Sequence, residues 1–171
     1  MKSAICPFDA KSGVLCSKCE SKLESGSITR DDVEAAIKLA RLADRNQDVD
    51  KFTLVRGAKV DDDFVLVLRS PDVIALQRDS ELADKIEDAF GQKVWFVESE
   101  SSERRFIEGL LRPLKVLSVN LFWLPDGNKL TKVIVAGDSR KAWVNIEKVQ
   151  KIAKTVRNIE LLIEFENNNN R

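Results

Sequence analysis

The chain contains no histidine and no tyrosine. The first absence removes imidazole acid/base chemistry, serine-type triads and histidine-ligated metal centres together. A nucleophile and its base would have to come from Cys with Lys or a carboxylate, and no spacing suggests such a pair. Carboxylates are abundant, but the run Asp61-Asp62-Asp63 reads as a solvated hairpin turn rather than a metal or acid/base site. The sequence therefore points away from an enzyme. It also lacks an excess of charge of one sign. The 28 Lys+Arg balance 28 Asp+Glu, which argues against a polyanion binder held by charge alone. No apolar run approaches the ~18 residues of a spanning helix, and a signal-peptide core is missing, so a soluble, cytoplasmic protein without membrane contact is expected.

What is there can build a core. The 171 residues are 43% apolar and suggest one domain or two small ones. Charged residues, at 33%, are plentiful but balanced, so disorder is not favoured. The charges are unevenly placed. Residues 1–30 carry 5 positive and 3 negative charges, residues 31–112 carry 13 and 19, and residues 113–171 carry 10 and 6. The middle would repel a polyanion, and the last third, at net +4, would attract one.

The first residues hold all three cysteines, in the pattern C-x2-D-x6-C-x2-C: Cys6, Asp9, Cys16 and Cys19. Two x2 hooks separated by a turn, which Gly13 permits, bring four side chains toward one tetrahedral centre of the kind structural zinc prefers. Asp9 stands where a complete ribbon has a fourth cysteine. A carboxylate binds zinc at about 2.0–2.2 Å, although a hard ligand among thiolates weakens the site. The alternatives are a metal-free apolar plug with Phe8, Val14 and Leu15, a Cys16/Cys19 redox pair, and a disulfide. The last two are disfavoured by the lack of a βαβ pattern and by an odd cysteine count in a reducing compartment.

From Thr29 onward the signals become regular. Thr29 and Asp32 have the spacing of a capping box that opens a helix to about residue 45, with Val33, Ile37 and Ala40 on its apolar face. Strands are predicted over 52–56 and 64–69, joined by a turn containing Gly57 and the acidic run. A short helix starts at Ser70-Pro71-Asp72, and a second is capped by Ser80, buries Leu82, Ile86 and Phe90, and ends at Gly91. Residues 93–97 form a strand. A helix over 103–111 then links to a second set: strands 116–122 and 130–135, an irregular stretch 137–143, and a helix capped by Asn145 with Val149, Ile152, Ala153 and Val156 on its face. A strand over 158–165 closes it. Strand, strand, helix, helix, strand thus occurs twice, about 65 residues apart, which points to two copies of a small α+β unit. Trp95 and Trp123, in strands, are expected in the core.

This order resembles type II KH domains in tandem. The junction KVWFVESESSERRFIEGLLRPLKVLSVN is similar to the segment joining the two KH domains of NusA-type transcription factors, with Phe106-Ile107, Leu110-Leu111, Pro113, Val116 and Val119 in the corresponding places. The cysteine head followed by Gly26-Ser27-Ile28-Thr29 and Asp31-Asp32-Val33 resembles the head of archaeal NusA-like KH proteins, where four cysteines are usual. The resemblance implies an α+β fold with a zinc-knuckle-like head over 1–28, a first KH-like domain over 29–101, a linker helix over 102–114, a second KH-like domain over 115–166 and a disordered tail over 167–171.

KH domains grip single-stranded nucleic acid with a G-x-x-G loop between two helices. Here that loop falls at Gln77-Arg78-Asp79-Ser80 and near Lys141-Ala142-Trp143-Val144-Asn145, without glycine in either. Arg140, Lys141, Lys148, Lys151, Lys154 and Arg157 cluster around the second loop and its helix, and Trp143 is either a stacking platform or a core plug. The expected function is that of a non-enzymatic accessory factor in transcription elongation or termination. It would bind single-stranded RNA through Arg140, Lys141, Trp143, Lys148, Lys151 and Lys154, with RNA polymerase or its associated machinery as partner and Zn2+ on Cys6, Asp9, Cys16 and Cys19. The alternative is a protein-interaction module that keeps the KH fold as a scaffold without binding nucleic acid.

Overall fold

Two short helices, α1 (Pro7–Ser12) and α2 (Ser17–Glu24), carry the head, and each is N-capped by a cysteine, Cys6 and Cys16. Pro7 sits at the start of α1, where a missing N–H costs nothing, and Gly13 ends that helix at φ 79°, the left-handed conformation glycine tolerates. The computed structural model describes residues 1–141 and 143–166; Ala142 of the second loop and the expected disordered tail, 167–171, lie outside the described residues. Next comes α3 (Arg30–Ala43), opened by the capping box that the spacing predicts. The Asp32 amide donates to Thr29 Oγ1 at 3.2 Å, and the Thr29 amide donates to Asp32 Oδ2 at 2.7 Å.

A one-turn helix, α4 (Gln47–Asp50), leads into β1 (Leu54–Val60) and β2 (Asp63–Leu68). Helices α5 (Ser70–Arg78) and α6 (Ser80–Phe90) then cross to β3 (Val94–Glu98). The sheet order is β1-β2-β3, with β1 antiparallel to β2 and β2 parallel to β3. A parallel pair requires a crossover, and α5 with α6 supplies it. On the helix side Phe64, Leu66 and Leu68 meet Leu39, Leu82, Ile86 and Phe90 in one core, where Phe64 and Phe90 pack edge to face at 4.9 Å. Ile5, Ala10 and Cys19 of the head belong to the same core.

Three local expectations change. Gly57 lies inside β1, and the turn is confined to Asp61 and Asp62. A Cβ at Gly57 would stand 2.7 Å from Ala35 Cβ and 2.8 Å from the Asp31 carbonyl oxygen, so glycine here lets α3 close onto the strand. The cap of α6 is Asp79 rather than Ser80, because the Asp79 carboxylate reaches the Leu82 amide at 3.0 Å. The final strand begins two residues late, because Asn158 takes φ 54° as the C-cap of the helix before it.

The second unit contains α7 (Glu103–Leu111), β4 (Val116–Trp123), β5 (Lys129–Ala136), a single 3-10 turn (Ser139–Lys141), α8 (Ile146–Arg157) and β6 (Glu160–Glu166). Its sheet repeats the first: order β4-β5-β6, with β4 antiparallel to β5 and β5 parallel to β6. The fold class is therefore the expected one, α+β, with a cysteine head and two three-stranded units carrying helices. The chain divides into Met1–Glu100 and the residues from Ser101 onward, so α7 falls within the second unit and supplies the leading helix that its sequence pattern leaves out. Its Phe106, Ile107, Leu110 and Leu111 are buried, and the Arg157 guanidinium of α8 lies 4.4 Å over the Phe106 ring. Trp123, expected in the core, is 70% exposed at the end of the edge strand β4. Trp95 is half-buried, its indole N–H donating to Asp63 Oδ2 at 2.8 Å.

Candidate metal centre and nucleic-acid interface

The head brings its four predicted ligands together. One donor atom from each of Cys6, Asp9, Cys16 and Cys19 lies within 4.8 Å of the others, close enough to hold a metal ion. The two N-caps place Cys6 and Cys16 side by side, while Asp9 and Cys19 project from the first turns that follow. Backbone amides hold the donors: Cys6 N donates to Cys19 Sγ at 3.4 Å, Asp9 N to Cys6 Sγ at 3.5 Å and Cys16 N to Asp9 Oδ2 at 3.0 Å. Amide donors around thiolates are the support a cationic centre needs.

Asp9 carries the most information. It is fully buried, and its Oδ1 has no hydrogen-bond partner. A buried, unsatisfied carboxylate oxygen is costly unless a cation takes its lone pair. Three sulfurs and one such oxygen fit a four-coordinate, thiophilic ion. The Cys16 amide, followed by the Cys19 and Cys6 thiols, holds the Asp9 carboxyl well below the usual carboxylate range. In return the adjacent carboxylate is the largest cause that pushes the Cys19 thiol up to about 11 and raises that of Cys6. Protons on the sulfurs therefore compete with a metal ion for the same lone pairs.

Two of the predicted basic residues of the second unit are paired with carboxylates. Arg140 is exposed but its guanidinium pairs with Asp138 at 3.1 Å, and Lys154 pairs with Glu160 at 2.8 Å. Lys151 and Lys154 are exposed on α8 and Lys148 is half-exposed, while Val149, Ile152 and Ala153 are buried on its other side. Arg157 points inward instead, donating to the Ser101 carbonyl oxygen at 2.8 Å and its Oγ at 3.0 Å. Trp143 is 94% exposed, so the core-plug alternative does not hold. Lys141 is exposed beside it.

At the starts of α6 and α8, beside the two predicted clamp loops, a side chain of the protein already takes a helix amide. In the first unit α5 and α6 are separated by Asp79 alone, which accepts from Leu82 N. In the second, Asn145 Oδ1 accepts from Lys148 N at 3.1 Å. Asp79 adds a negative charge where a phosphate would otherwise be favoured, whereas Asn145 is neutral.

The sequence pattern did not reveal a run of exposed apolar residues along and just after β4: Leu117, Leu121, Phe122, Trp123 and Leu124. Its only signal was the absence of charge from 116 to 124. A cavity of about 240 Å³ lies among Glu103, Lys129, Thr131, Arg157 and Glu160. Its groups engage one another, Thr131 Oγ1 donating to Glu103 at 2.8 Å and Lys129 approaching Glu103 at 3.6 Å. Among the described residues no helix is long and apolar enough to cross a membrane.

Against known proteins, no family model and no curated sequence matches this chain. Among solved structures, the crystal structure of APE1850 is similar over 75% of this chain and 95% of its own, with a TM-score of 0.53 and 13% identity. At that identity the likeness shows the fold alone, and the chemistry here rests on this chain's own residues.

Proposed function

We propose that this protein is a non-enzymatic, NusA-like accessory factor that binds single-stranded RNA weakly through its second KH-like unit. By the resemblance of its sequence it acts in transcription elongation or termination beside RNA polymerase. The observation that carries the reading is Trp143, an indole 94% exposed, following Arg140 and Lys141 and just ahead of the capped start of α8. A base stacked on such a ring contributes ~1–3 kcal/mol without requiring a glycine clamp, and nearby lysines follow the backbone. The cysteine head holds a structural Zn2+ in this reading, since three thiolates with one carboxylate select a borderline-soft, tetrahedral ion. Cys6, Asp9, Cys16 and Cys19 would bind it and tie the head to the core of the first unit. The test is a fluorescence titration with single-stranded RNA at two salt concentrations. Binding that weakens with salt, and weakens further in Lys148→Glu/Lys151→Glu, is expected; no binding at low salt overturns the proposal.

A second reading has its own support. Asp79 blocks the phosphate position of the first unit, and β4 exposes apolar side chains rather than lysines. Both features suit a protein-interaction module built on KH-like scaffolds. Partners that stay bound in extract after nuclease treatment would favour it over RNA binding.

A further inference from the structure

We infer that Cys16 is a site of oxidation by hydroperoxides, which join it to Cys19 in a disulfide and open the metal centre. The inference rests on the reading that Cys6, Asp9, Cys16 and Cys19 hold a structural zinc ion, and it adds what this donor set does when an oxidant reaches it. The three sulfurs are not equally placed. Cys19 is buried, at 2% exposure, in the core with Ile5, Ala10 and Leu39, Cys6 is half-buried, and Cys16 is exposed. The backbone also treats them differently. Cys19 Sγ accepts the Cys6 amide and Cys6 Sγ accepts the Asp9 amide. Cys16 is the N-cap of α2, yet its sulfur makes no capping hydrogen bond. An amide hydrogen bond occupies a sulfur lone pair and weakens its attack on an electrophile. Metal binding keeps all three sulfurs as thiolates, so the exposed one, free of a capping amide, meets the oxidant first.

The Cys16 thiolate attacks one oxygen of the peroxide. An S–O bond forms, the O–O bond breaks, and the departing hydroxide takes a proton to become water. The Cys19 thiolate then attacks the Cys16 sulfur: the S–S bond forms, the S–O bond breaks, and a second hydroxide leaves and is protonated. In sum two thiolates give up two electrons, and hydrogen peroxide with two protons becomes two waters. Cys19 is the resolving partner because it stands with Cys16 at the first turn of α2, with its sulfur within 4.8 Å. Closure to the ~2.05 Å of an S–S bond is then made within one turn of one helix, whereas Cys6 belongs to α1. The closed pair leaves the site with the Cys6 sulfur and the Asp9 carboxylate, too few donors for an ion that takes about four. The aspartate is decisive here. A fourth cysteine would have left two thiolates after one disulfide, and Asp9 leaves one. The odd cysteine count, which argues against a disulfide in the resting head, leaves Cys6 as a reduced thiol once the pair has closed.

Treating the zinc-loaded full chain with an equimolar amount of hydrogen peroxide tests this, with released metal read by a chromophoric chelator and the thiols mapped by mass spectrometry. Trypsin cleaves after Lys11, Lys18 and Lys22, so Cys6, Cys16 and Cys19 fall on separate peptides. About one zinc should be released per disulfide formed. The disulfide should join residues 12–18 to residues 19–22 within one chain, with Cys6 still open to alkylation. A dithiol reductant with added zinc should restore the loaded form. Protein that takes up no zinc overturns the metal reading, and this inference with it. Zinc-loaded protein that keeps its metal under peroxide overturns this inference alone. So does a disulfide that includes Cys6 or links two chains, or oxidation of Cys16 that runs on to the sulfinic acid without a disulfide.

Discussion

The Asp9 carboxylate accepts the Cys16 amide hydrogen through Oδ2 at 3.0 Å, while its other oxygen, Oδ1, is buried without a hydrogen-bond partner. One oxygen thus fixes the approach of the two hooks and the other remains available to a cation. This division of labour explains how an aspartate can serve at a position where a fourth thiolate would bind more strongly.

Zinc content should follow the donor set. Protein purified without chelator is expected to carry about one zinc per chain by elemental analysis. Asp9→Ala should lower retention against a chromophoric chelator, and Asp9→Cys, which completes four thiolates, should raise it. Because Ala10 and Cys19 share a core with Leu39, stripping the metal should also lower the melting temperature. A fully folded head without metal, with a melting temperature indifferent to chelator, would refute the site.

Trp143→Ala should weaken single-stranded RNA binding about 5- to 150-fold, the equivalent of one lost stacking contact. Trp143→Phe should retain most of the affinity. The substitution should leave thermal stability unchanged, because the side chain is exposed, and calorimetry alongside the titration separates the two effects.

Two glycines should respond with opposite signs. Gly57→Ala forces a methyl group against Ala35 and the Asp31 carbonyl, at a cost of ~1–3 kcal/mol. Gly109, within α7, has open space where a methyl group would stand, with nothing within 4 Å, so Gly109→Ala should stabilise by ~0.5–1 kcal/mol through helix propensity. Urea midpoints of the two variants check both; a tolerant Gly57 would mean that α3 and β1 can separate cheaply.

Glu34 gives a pH dependence. Its carboxyl is held below the ordinary value of 4.5 mainly by Lys59, with Lys38 adding to the effect. A depressed folded value means that the unfolded chain binds the proton more readily. The stabilisation is then fully present above 4.5 and is lost as the pH falls through the lower folded value. Glu34→Gln should therefore lower the urea midpoint at neutral pH by a small amount, the pair being partly exposed, and the gap to wild type should close in acid. A gap that persists there would assign the effect to packing.

Local chemistry was readable from residues alone. The x2 hooks announced the ligand cluster, Thr29 with Asp32 announced the start of α3, and the Leu82, Ile86, Phe90 spacing announced the buried face of α6. Each of these signals is complete within a few residues, because caps, hooks and helix faces depend on neighbours three or four positions away. The twofold recurrence of strands and helices likewise made the α+β class legible.

Other features depend on which distant segment lies opposite. Gly57 reads as a turn residue until α3 is seen pressing on β1, and Trp123 reads as core until β4 is seen to be an edge strand. The pairing of Lys154 with Glu160, the inward turn of Arg157 and the orphan oxygen of Asp9 are likewise facts of three-dimensional neighbourhood. Burial and charge pairing are properties of the packed chain, and a residue's own type and spacing cannot specify what will stand against it.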